Sequence, residues 1–526
     1  KKGFFAAFNR WFARRMDKYT AFTPTLIRHV ARTGVFIAAV LAVIFLVWRK
    51  LPAGFLPEED QGYVMVMVST PEASSLQVTQ KAMIRADEVI RTLPEVASTS
   101  FAAGFNMMAG IASTDSGIIF VSLVGYSDRK LTAMEIAQKL TDELYMAVPG
   151  AECFAFIPPS IPGLGITSGV SVEVQDLEGR GTAYLLEQSE RLMDSLRKLP
   201  SVASVTTQFN AGVPQRRLRI DKEQALASGV DLGVLYGDLT TLLGGAYVNN
   251  FSRFGKLYQT YIQAAPAYRM DKRSLDSYYV ASSSGESVPV SSLVEVVDTV
   301  GVEYVSQFNL YRSIGLTVTP AARTSTTTVM QDITRTAAQV LPDDVGTAWS
   351  GTSFQEANAS KTGGLVYLLA LVFVFLALAA LYESWGLPLA ILMSVPVAVL
   401  GAVLFIGVSH LLNAFYVNDI YMQISLVMLI GLAAKNAILV VEYADRLFNE
   451  QGASLMDAAI GAAKLRVRPI IMTAFAFILG VMPLIFASGV YATARNIMGV
   501  ALVGGMLFAT LLGIFVYPAL YYFVGR

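Results

Sequence analysis

The chain has 526 residues, of which 54% are hydrophobic and only 15% charged, and this composition argues against a soluble globular protein. Its 40 basic and 40 acidic residues cancel, which gives no support to a nucleic-acid-binding surface. The single cysteine, Cys153, excludes an intrachain disulfide, and His29 and His410 lie far apart in the sequence, so a metal cluster is not expected.

Six apolar segments approach the roughly 20 residues that a helix needs to cross a bilayer. One lies near the start of the chain, and five follow one another in its last third. The predicted transmembrane helices are 29–50, then about 364–382, 387–408, 420–443, 469–486 and 497–524, the last five within the region 364–526. The pattern predicts a membrane α-helical bundle of six helices, with one large segment between the first span and the second.

The residues before the first span have the pattern of an amphipathic helix. Arginines fall on one helical face, and the opposite face carries the aromatic side chains Phe4, Phe5, Phe8, Trp11 and Phe12. This arrangement is typical of a helix that lies in the membrane surface. Residues 1–28 are therefore predicted to be an interfacial amphipathic helix and lead-in, with a plain cytoplasmic helix as the alternative.

The distribution of basic residues predicts the orientation, because lysine and arginine mark the cytoplasmic side of a membrane protein. They cluster before the first span and again at Lys464, Arg466 and Arg468, before the fifth. Six alternating crossings place both clusters on the same side, so residues 51–360 are expected to lie outside. The chain opens at Lys1 without a methionine, and we expect it to be part of a longer sequence.

The large segment between the first two spans contains a repeat. Strand, helix and strand patterns follow one another four times, and the string Leu-Pro-x-Val-Ala-Ser ends two of the helices, at 93–98 and 199–204. Two such units make one split βαβ subdomain of ferredoxin-like type. The four units therefore predict two α+β subdomains, one at 63–160 and the other built from 169–207 with 313–351.

The second predicted subdomain is interrupted by an insertion at 208–312. This insertion contains further strand patterns and a stretch rich in glycine, asparagine and aromatic residues at 244–258. Such a composition between strand patterns predicts a protruding hairpin. An arm of this kind suggests contact with a partner.

Four longer motifs are specific enough to indicate a family. They are FLPEEDQG at 55–62, ALYESW at 380–385, GLAAKNAI at 431–438 and RPIIMT at 468–473. In this order they resemble the RND superfamily of hydrophobe and amphiphile multidrug efflux transporters, AcrB and MexB among them, and the likeness runs nearly end to end. By that likeness the chain is similar to the C-terminal half of such a transporter. The resemblance makes the two α+β subdomains porter subdomains and the insertion a docking domain.

The resemblance also implies a function. It implies a secondary active transporter, not an enzyme, that exports drugs and other amphiphilic compounds in exchange for protons and needs no cofactor. It places the protein in the inner membrane of a Gram-negative bacterium, with a large periplasmic region. The implied partners are an N-terminal half with six more helices, two further copies in a homotrimer, a periplasmic adaptor and a TolC-like outer-membrane channel.

Lys435 is the charged residue that best fits proton coupling. It lies well inside the predicted fourth span, where a lysine costs about 2.5 to 3.5 kcal/mol and normally pairs with a carboxylate. Glu383 and Glu442 are acidic residues of the spans, but both are predicted at helix ends. The resemblance supplies instead a pair of aspartates in the N-terminal half. A structural salt bridge without a transport role is the alternative.

The resemblance assigns three further residues to the proton relay, namely Asn436, Arg466 and Thr473. Arg466 and Thr473 are seven positions apart, so they return to within roughly 20° of one helix face. Protonation of an aspartate would free Lys435 to move toward Asn436 or Thr473 and tilt the helices. Arg466 could instead be an ordinary cytoplasmic anchor, and the Thr473 hydroxyl could bond to its own helix backbone.

A site for varied amphiphiles requires apolar and aromatic walls with few fixed polar groups. The predicted substrate-binding residues are Phe101, Phe105, Met107, Phe120, Phe154 and Phe156. The first three flank a predicted loop, 104–117, which resembles the switch loop of the family. Phe154 and Phe156 fall on one side of a strand. Ordinary core packing is the alternative for each ring.

Rival functions are less well supported by the residues. An ATP-driven pump requires a phosphate-binding loop that ends in Gly-Lys-Ser/Thr, and the sequence has none. No Ser/His/Asp or Cys/His set supports an enzyme. Export of copper or silver would use Met107 and Met108, but two thioethers without a third ligand are a weak signal. Transport of lipids, or a membrane scaffold without transport of its own, remains as an alternative.

Overall fold

The computed structural model describes residues 4–525 apart from positions 29, 162, 166, 322 and 323, and the side chains of 4–10, 30 and 360–363 are outside that description. The chain forms two compact units. The first unit contains Lys1–Gln208 and Val305–Arg526, and the second contains Phe209–Tyr304.

The α-helices of the described residues are given in chain order. They are α1 (Phe4–Arg28), α2 (Val30–Lys50), α3 (Leu76–Ile90), α4 (Ala133–Ala147), α5 (Thr182–Leu196), α6 (Lys222–Ala227), α7 (Leu232–Leu239), α8 (Thr326–Val340), α9 (Gly351–Tyr382), α10 (Gly386–Leu392), α11 (Val395–Leu412), α12 (Ile420–Asn449), α13 (Leu455–Ile485), α14 (Ala492–Leu511) and α15 (Gly513–Gly525). All except α6 and α7 belong to the first unit.

The strands are given in the same way. They are β1 (Tyr63–Ser69), β2 (Val96–Asn106), β3 (Ile111–Leu123), β4 (Glu152–Phe156), β5 (Val170–Asp176), β6 (Val202–Thr207), β7 (Val213–Ile220), β8 (Ala246–Arg253), β9 (Lys256–Ile262), β10 (Tyr279–Ala281), β11 (Ser287–Pro289), β12 (Val294–Gly301), β13 (Ser306–Phe308), β14 (Tyr311–Pro320) and β15 (Val345–Trp349). Strands β7 to β12 belong to the second unit.

Six helical segments of the described residues are long and apolar enough to cross a membrane. They are Ala31–Lys50, Gly364–Tyr382, Gly386–Leu412, Ile420–Asn449, Leu455–Ile485 and Ala492–Leu511. The buried face of this bundle is formed mainly by α11, α12 and α14, which share a core of small and branched side chains such as Ala402, Leu429 and Val503. The sequence places the same six apolar segments, but several helix ends differ from the predicted ones.

Helix α13 begins at Leu455, well before the predicted start at 469. The Ser454 hydroxyl accepts a hydrogen bond from the Asp457 amide at 3.1 Å and caps the helix there. The basic residues Lys464, Arg466 and Arg468 therefore lie inside the helix, not before it. Likewise, α12 continues to Asn449 instead of ending at 443, so Glu442 is an internal residue, 3.4 Å from Arg446.

Two of the predicted spans each consist of two helices in the structure. The span predicted at 387–408 consists of α10 and α11, and Pro396 in the first turn of α11 lacks the amide that would continue the helix. The span predicted at 497–524 consists of α14 and α15. Pro518 leaves the Ile514 carbonyl without its helical donor, and the Tyr19 hydroxyl of α1 donates to that carbonyl at 2.9 Å.

Helix α1 is continuous from Phe4 to Arg28, as the predicted amphipathic segment 1–28 requires. In its second half, Tyr19 and Ile27 are buried against α13 and α15, whereas Trp11 and Phe22 are about half exposed. The prediction for the first three aromatic residues, Phe4, Phe5 and Phe8, concerns side chains outside the described part of the chain.

The first sheet of unit one is antiparallel, with the strand order β2-β3-β1-β4. Helices α3 and α4 cover one face, where Val64, Val66 and Val68 of β1 join Ile136 and Leu140 of α4 in the core. Strand β1 is buried on its other face as well, at Met65 and Met67. The alternation of valine and methionine therefore reflects two different buried faces.

The segment predicted as a loop at 104–117 is mostly strand. Strands β2 and β3 continue to pair beyond a bulge, with Phe105 opposite Ala112 and Asn106 opposite Ile111. The bulge lies next to Gly104, whose φ of 89° is open mainly to glycine. Only the turn from 107 to 110 separates the strands. The prediction of a loop was wrong because glycine and serine have a low strand propensity. In the structure, backbone hydrogen bonds between β2 and β3 nevertheless make these residues part of the two strands.

The second sheet of unit one has the order β13-β14-β5-β15, and β6 also pairs with β14. Helices α5 and α8 pack against it with Leu185, Val329 and Ile333, which are fully buried. After β15 the chain passes through Ser350 directly into α9. Helix α9 therefore starts at Gly351 and contains the span predicted at 364–382 as its second part.

The second unit has three antiparallel strand pairs, β7 with β12, β8 with β9, and β10 with β11. The β8–β9 hairpin is the arm predicted at 244–258, and its strands extend to Ile262. Phe254 and Gly255 at its tip have φ values of 53° and 71°, which is the pattern of a type I′ turn. Aromatic rings pair across the hairpin, with Phe251 and Tyr258 stacked at 5.4 Å.

Candidate coupling and substrate sites

Lys435 lies on a face of α12 that no other described part of the chain covers. Its side chain is exposed, and about two and three turns earlier Met428 and Ile424 are also exposed, at 43% and 44%. Among the described residues, Lys435 forms no ion pair within 4 Å, while Glu442 on the same helix is paired with Arg446. A lysine in an apolar helix, next to an apolar surface, therefore has no acidic partner within the part of the chain that the structure describes.

Asn436 follows Lys435 in the sequence but faces the interior of the bundle. Successive residues of a helix are about 100° apart, so the two side chains point to different surroundings. Asn436 is only 1% exposed, and its side-chain amide lies beside the hydroxyl of Tyr517 on α15, which itself donates to the Ala509 carbonyl. A buried amide that loses its partner is costly, so the bundle is expected to be sensitive to substitution of Asn436 or of the neighbouring Tyr517.

Arg466 and Thr473 lie on the neighbouring helix α13. The Arg466 guanidinium is 4.6 Å from the centre of the Tyr443 ring, and its Nε is buried without an acceptor among the described residues. Thr473 is exposed, and its hydroxyl donates to the Ile470 carbonyl at 3.0 Å. Within the described chain no hydrogen bond joins any two of the four predicted relay residues.

Asp419 is a buried carboxyl at the start of the Lys435-bearing helix, and the sequence analysis did not include it among the candidate site residues. It is fully buried at the start of α12, where its Oδ1 accepts from the Met422 amide at 2.8 Å and its Oδ2 has no partner among the described residues. Burial raises the pKa of this carboxyl to about 7, although backbone hydrogen bonds oppose the shift. An aspartate directly before an apolar helix is a capping signal that could have indicated it.

Three of the predicted substrate residues share the open face of the first sheet. Met65 of β1 lies opposite Phe120 and Phe156, and Met67 lies opposite Phe154. Phe154 and Phe156 are stacked with ring centres 5.8 Å apart. Phe120 and Phe154 are 37% and 50% exposed, whereas Phe156 is buried. The face therefore presents two accessible rings above a buried apolar layer.

Met107 belongs to the same face, but Phe101 does not. Met107 and Met108 of the β2–β3 turn pack against a cluster of Met65, Met67, Ile118 and Phe156. Phe101 pairs with Ile119, which belongs to the core on the helix side of the sheet, so Phe101 lies on the opposite face from Phe120. Phe105 pairs with Ala112 beyond the bulge and is 41% exposed.

Met65 and Met67 were also missed by the sequence analysis. Their signal was present, because methionine occupies every second position of the Val64–Val68 strand pattern and so occupies one face. Thioether side chains are flexible and polarisable, which lets them adapt to differently shaped apolar surfaces. Together with the phenylalanine rings, they form an apolar wall.

The chain resembles known transporters along its whole length. Residues 1–525 match the AcrB/AcrD/AcrF family. The toluene efflux pump membrane transporter TtgB of Pseudomonas putida is 37% identical over 524 residues, which cover 98% of this chain and 49% of TtgB. The multidrug export protein AcrF of Escherichia coli is 33% identical over 531 residues, covering 100% of this chain and 51% of AcrF.

Each alignment covers nearly all of this chain but only about half of the relative. The multidrug resistance protein MdtF of Escherichia coli, 34% identical over 526 residues, is likewise matched by 98% of this chain over 50% of its own length. The chain thus spans about half the length of the curated relatives it matches. These matches confirm the family resemblance, and the chain belongs to the AcrB/AcrD/AcrF family of RND multidrug efflux transporters, a family of multi-pass membrane proteins.

Proposed function

We propose that this chain forms the Lys435-bearing half of a proton-driven exporter of drugs and other amphiphilic compounds. The observation that carries the proposal is Lys435 itself. It is a charged residue in an apolar helix, on a face that the described chain leaves uncovered, and without an acidic partner there. A lysine within a membrane normally pairs with an acid, so we expect another polypeptide segment to cover this face of α12 and to supply a carboxylate to Lys435. Protonation of that carboxylate would break its ion pair with Lys435.

The remaining parts of the proposal follow from the family. The first unit would hold two porter subdomains, at 63–160 and at 169–207 with 313–351, and the second unit would be the docking domain. The strand order β2-β3-β1-β4 supports the first of these, because it is the order of a split βαβ subdomain. The protein would act as the inner-membrane component of a trimeric pump, with an adaptor and an outer-membrane channel.

The substrate class follows from the open face of the first sheet. Phe120, Phe154 and the methionines offer apolar area and ring stacking, and they make no fixed hydrogen-bond demand. Such a wall accepts many amphiphiles with similar affinity, whereas buried polar groups would restrict the choice. The relative TtgB is named as a toluene efflux pump; toluene is an apolar aromatic compound that such a wall would accept, and we extend that chemistry to this chain.

The test is dye efflux from membrane vesicles that contain the transporter, driven by an imposed pH gradient. Lys435→Ala should abolish gradient-dependent efflux, because the acid that pairs with the lysine would lose its partner in both protonation states. Lys464→Ala is the matched control, since it removes an exposed lysine from the neighbouring helix α13. Equal efflux by wild type and Lys435→Ala, at equal protein abundance, would show that the lysine is structural and would reject the coupling role.

Export of a soft metal ion is the second candidate function. Four methionines, Met65, Met67, Met107 and Met108, lie in one small cluster, which is more thioether sulfur than the sequence analysis counted. Thioethers prefer Cu(I) and Ag(I). If silver is a substrate, cells that make Met65→Leu with Met67→Leu should lose silver tolerance and keep dye efflux. Unchanged silver tolerance in that variant would leave amphiphile export as the function.

A further inference from the structure

The segment 52–62, called the strap below, joins α2 to β1 and first runs along the start of α12. The Asn418 amide donates to the Pro52 carbonyl at 2.9 Å, and the Gly54 amide donates to the Asn418 carbonyl at 3.2 Å. The Ile420 amide, in the first turn of α12, donates to the Phe55 carbonyl at 3.2 Å. The strap is thus bound by its backbone to the helix that carries Lys435.

Glu59 of the strap caps a second helix of the bundle. Tyr491, the residue before α14, has a φ of 55° and gives that helix no side-chain cap. Glu59 supplies it from 434 positions away, since its carboxylate accepts from the Thr493 amide at 3.2 Å and from the Ala494 amide at 2.7 Å. The Glu59 side chain is 2% exposed. A carboxylate at a helix start also interacts favourably with the helix dipole.

Asp60, the next residue, holds the first turn of a helix outside the bundle. Its Oδ2 accepts from the Ala133 amide of α4 at 2.8 Å, and its Oδ1 accepts from the Arg129 guanidinium at 2.7 Å. The Arg129 side chain is only 2% exposed. The Tyr126 hydroxyl donates to the Asp60 carbonyl at 2.8 Å, so both the side chain and the backbone of Asp60 are bound to the α/β subdomain.

The two capped helix starts are therefore joined through neighbouring residues. Glu59 is bound to α14 and Asp60 to α4, and a single planar peptide bond connects them. The connection has little slack, because each carboxylate is held by at least two donors and both are largely buried. A displacement of α14 along its axis is therefore expected to move α4 or to break these hydrogen bonds.

We propose that the strap transmits movement between the helix bundle and the first α/β subdomain, with Glu59 and Asp60 as its positioning residues. The inference rests on the proposed function, because it gives the Lys435-bearing helix a route to the sheet that carries Phe120 and Phe154. Neither carboxylate contacts substrate or takes part in proton exchange. Their role is to keep the ends of α12, α14 and α4 at fixed relative positions during the transport cycle.

The test compares Glu59→Gln and Asp60→Asn with Glu135→Gln in the full transporter, measured in membrane vesicles. Glu135 belongs to the local capping box of α4 and is exposed, so its substitution changes the same helix start without touching the strap. For both strap variants we expect the maximal efflux rate to fall about five- to tenfold, with KM and equilibrium dye binding unchanged. The control should keep the wild-type rate.

Two results would overturn the strap proposal while the proposed function stands. One is an efflux rate of Glu59→Gln and Asp60→Asn equal to that of wild type, while Lys435→Ala is inactive. The other is a loss of efflux that only parallels a loss of folded protein and of dye binding, which would make Glu59 and Asp60 ordinary structural residues. If wild type itself shows no gradient-dependent efflux, the proposed function fails, and the strap is then judged by hydrogen exchange alone.

Hydrogen exchange measures transmission without any transport. If the strap transmits movement, Asp60→Asn should increase exchange of the Thr493 and Ala494 amides at the start of α14, on the far side of the strap. Glu135→Gln should leave those two amides at their wild-type rates. Increased exchange confined to the start of α4 in Asp60→Asn would show that the strap does not transmit, and it would reject the proposal.

Discussion

The two sheets of the first unit are attached to the helix bundle in different ways. The second sheet is continuous with it, because β15 leads through Ser350 into α9. The first sheet follows the strap, whose side chains bind it to the bundle through Glu59 and Asp60. A continuous helix transmits force by its own stiffness, whereas the strap is not helical, and the side-chain contacts that add to its backbone connection can be removed one residue at a time. The helix bundle is therefore coupled to the second sheet through a continuous helix, and to the first sheet in part through the side chains of Glu59 and Asp60.

The second sheet also has a carboxylate at its attachment, although with different surroundings. Glu356, in the first part of α9, is 8% exposed and accepts hydrogen bonds from the hydroxyls of Thr326 and Thr327 at the start of α8, at 2.9 and 2.5 Å. These neutral donors replace the guanidinium and backbone amides around Asp60. The two attachments are therefore expected to differ in strength and in their response to pH.

The largest effect on stability is expected from Asp60→Ala. The substitution leaves the buried Arg129 guanidinium without its carboxylate, and removal of one partner of a buried ion pair costs about 3–5 kcal/mol. Because Asp60 is 22% exposed, we expect the lower end of that range. Thermal unfolding in detergent, compared with Asp60→Asn, measures the loss. An unfolding temperature equal to that of wild type would show that water replaces the lost acceptor.

A smaller loss is expected from Glu356→Ala. The two threonine hydroxyls lose their acceptor; an unsatisfied buried donor costs about 1–3 kcal/mol, and because both threonines are only partly buried we expect the lower end of that range. Since α9 remains covalently joined to β15, we expect efflux to fall in proportion to folded protein only. Efflux assays and unfolding in the same preparations test this, with Glu356→Gln as the variant that keeps an acceptor. A fall in rate per folded transporter would contradict coupling by the backbone.

The smallest effect is a difference in pH dependence. Burial alone would raise the pKa of Asp60, but its hydrogen bonds with Arg129, Ala133 and Gly62 outweigh burial and hold it below the ordinary value of 3.8. Its contribution to stability is therefore present above pH 3.8 and is lost as the pH falls further. Burial raises the pKa of Glu356 above 4.5, and the threonine hydroxyls offset this only in part. Its contribution is present below pH 4.5 and is lost as the pH rises through the raised pKa.

The measurement is the unfolding temperature of wild type, Asp60→Asn and Glu356→Gln across this pH range. The advantage of wild type over Asp60→Asn should shrink on acidification below pH 3.8. The unfolding temperature of wild type relative to Glu356→Gln should instead decrease as the pH rises above 4.5. Two differences that change in the same direction with pH would contradict the assignment of opposite pKa shifts.

Much of the helix bundle could be predicted from the sequence, because apolar length is a local property. The six apolar segments were visible, and so was Lys435 within one of them. Helix ends were less predictable. The start of α13 depends on the Ser454 cap, and the end of α14 lies near a chain bend at which Tyr19 satisfies the carbonyl that Pro518 leaves free. Such contacts depend on residues that are distant in sequence.

The candidate substrate site shows the same division. Alternation in β4 placed Phe154 and Phe156 on one side, and pairing with β1 brings Met65 and Met67 beside them. Phe101 was grouped with these rings by its position near the predicted loop, but its register opposite Ile119 places it on the other face of the sheet. A shift of one residue changes the face, and the sequence of a single strand does not determine its register.

The sequence by itself determined the membrane class, the repeat of strand and helix patterns and the family. It also showed a lysine within an apolar helix, because hydrophobic length, periodicity and motifs are local properties of the chain. The tertiary structure alone decided that Glu59 and Asp60 hold two helix starts on opposite sides of the strap. A capping carboxylate can come from any distance along the chain. Only the folded arrangement brings the Glu59 carboxylate to amides that lie 434 and 435 positions away.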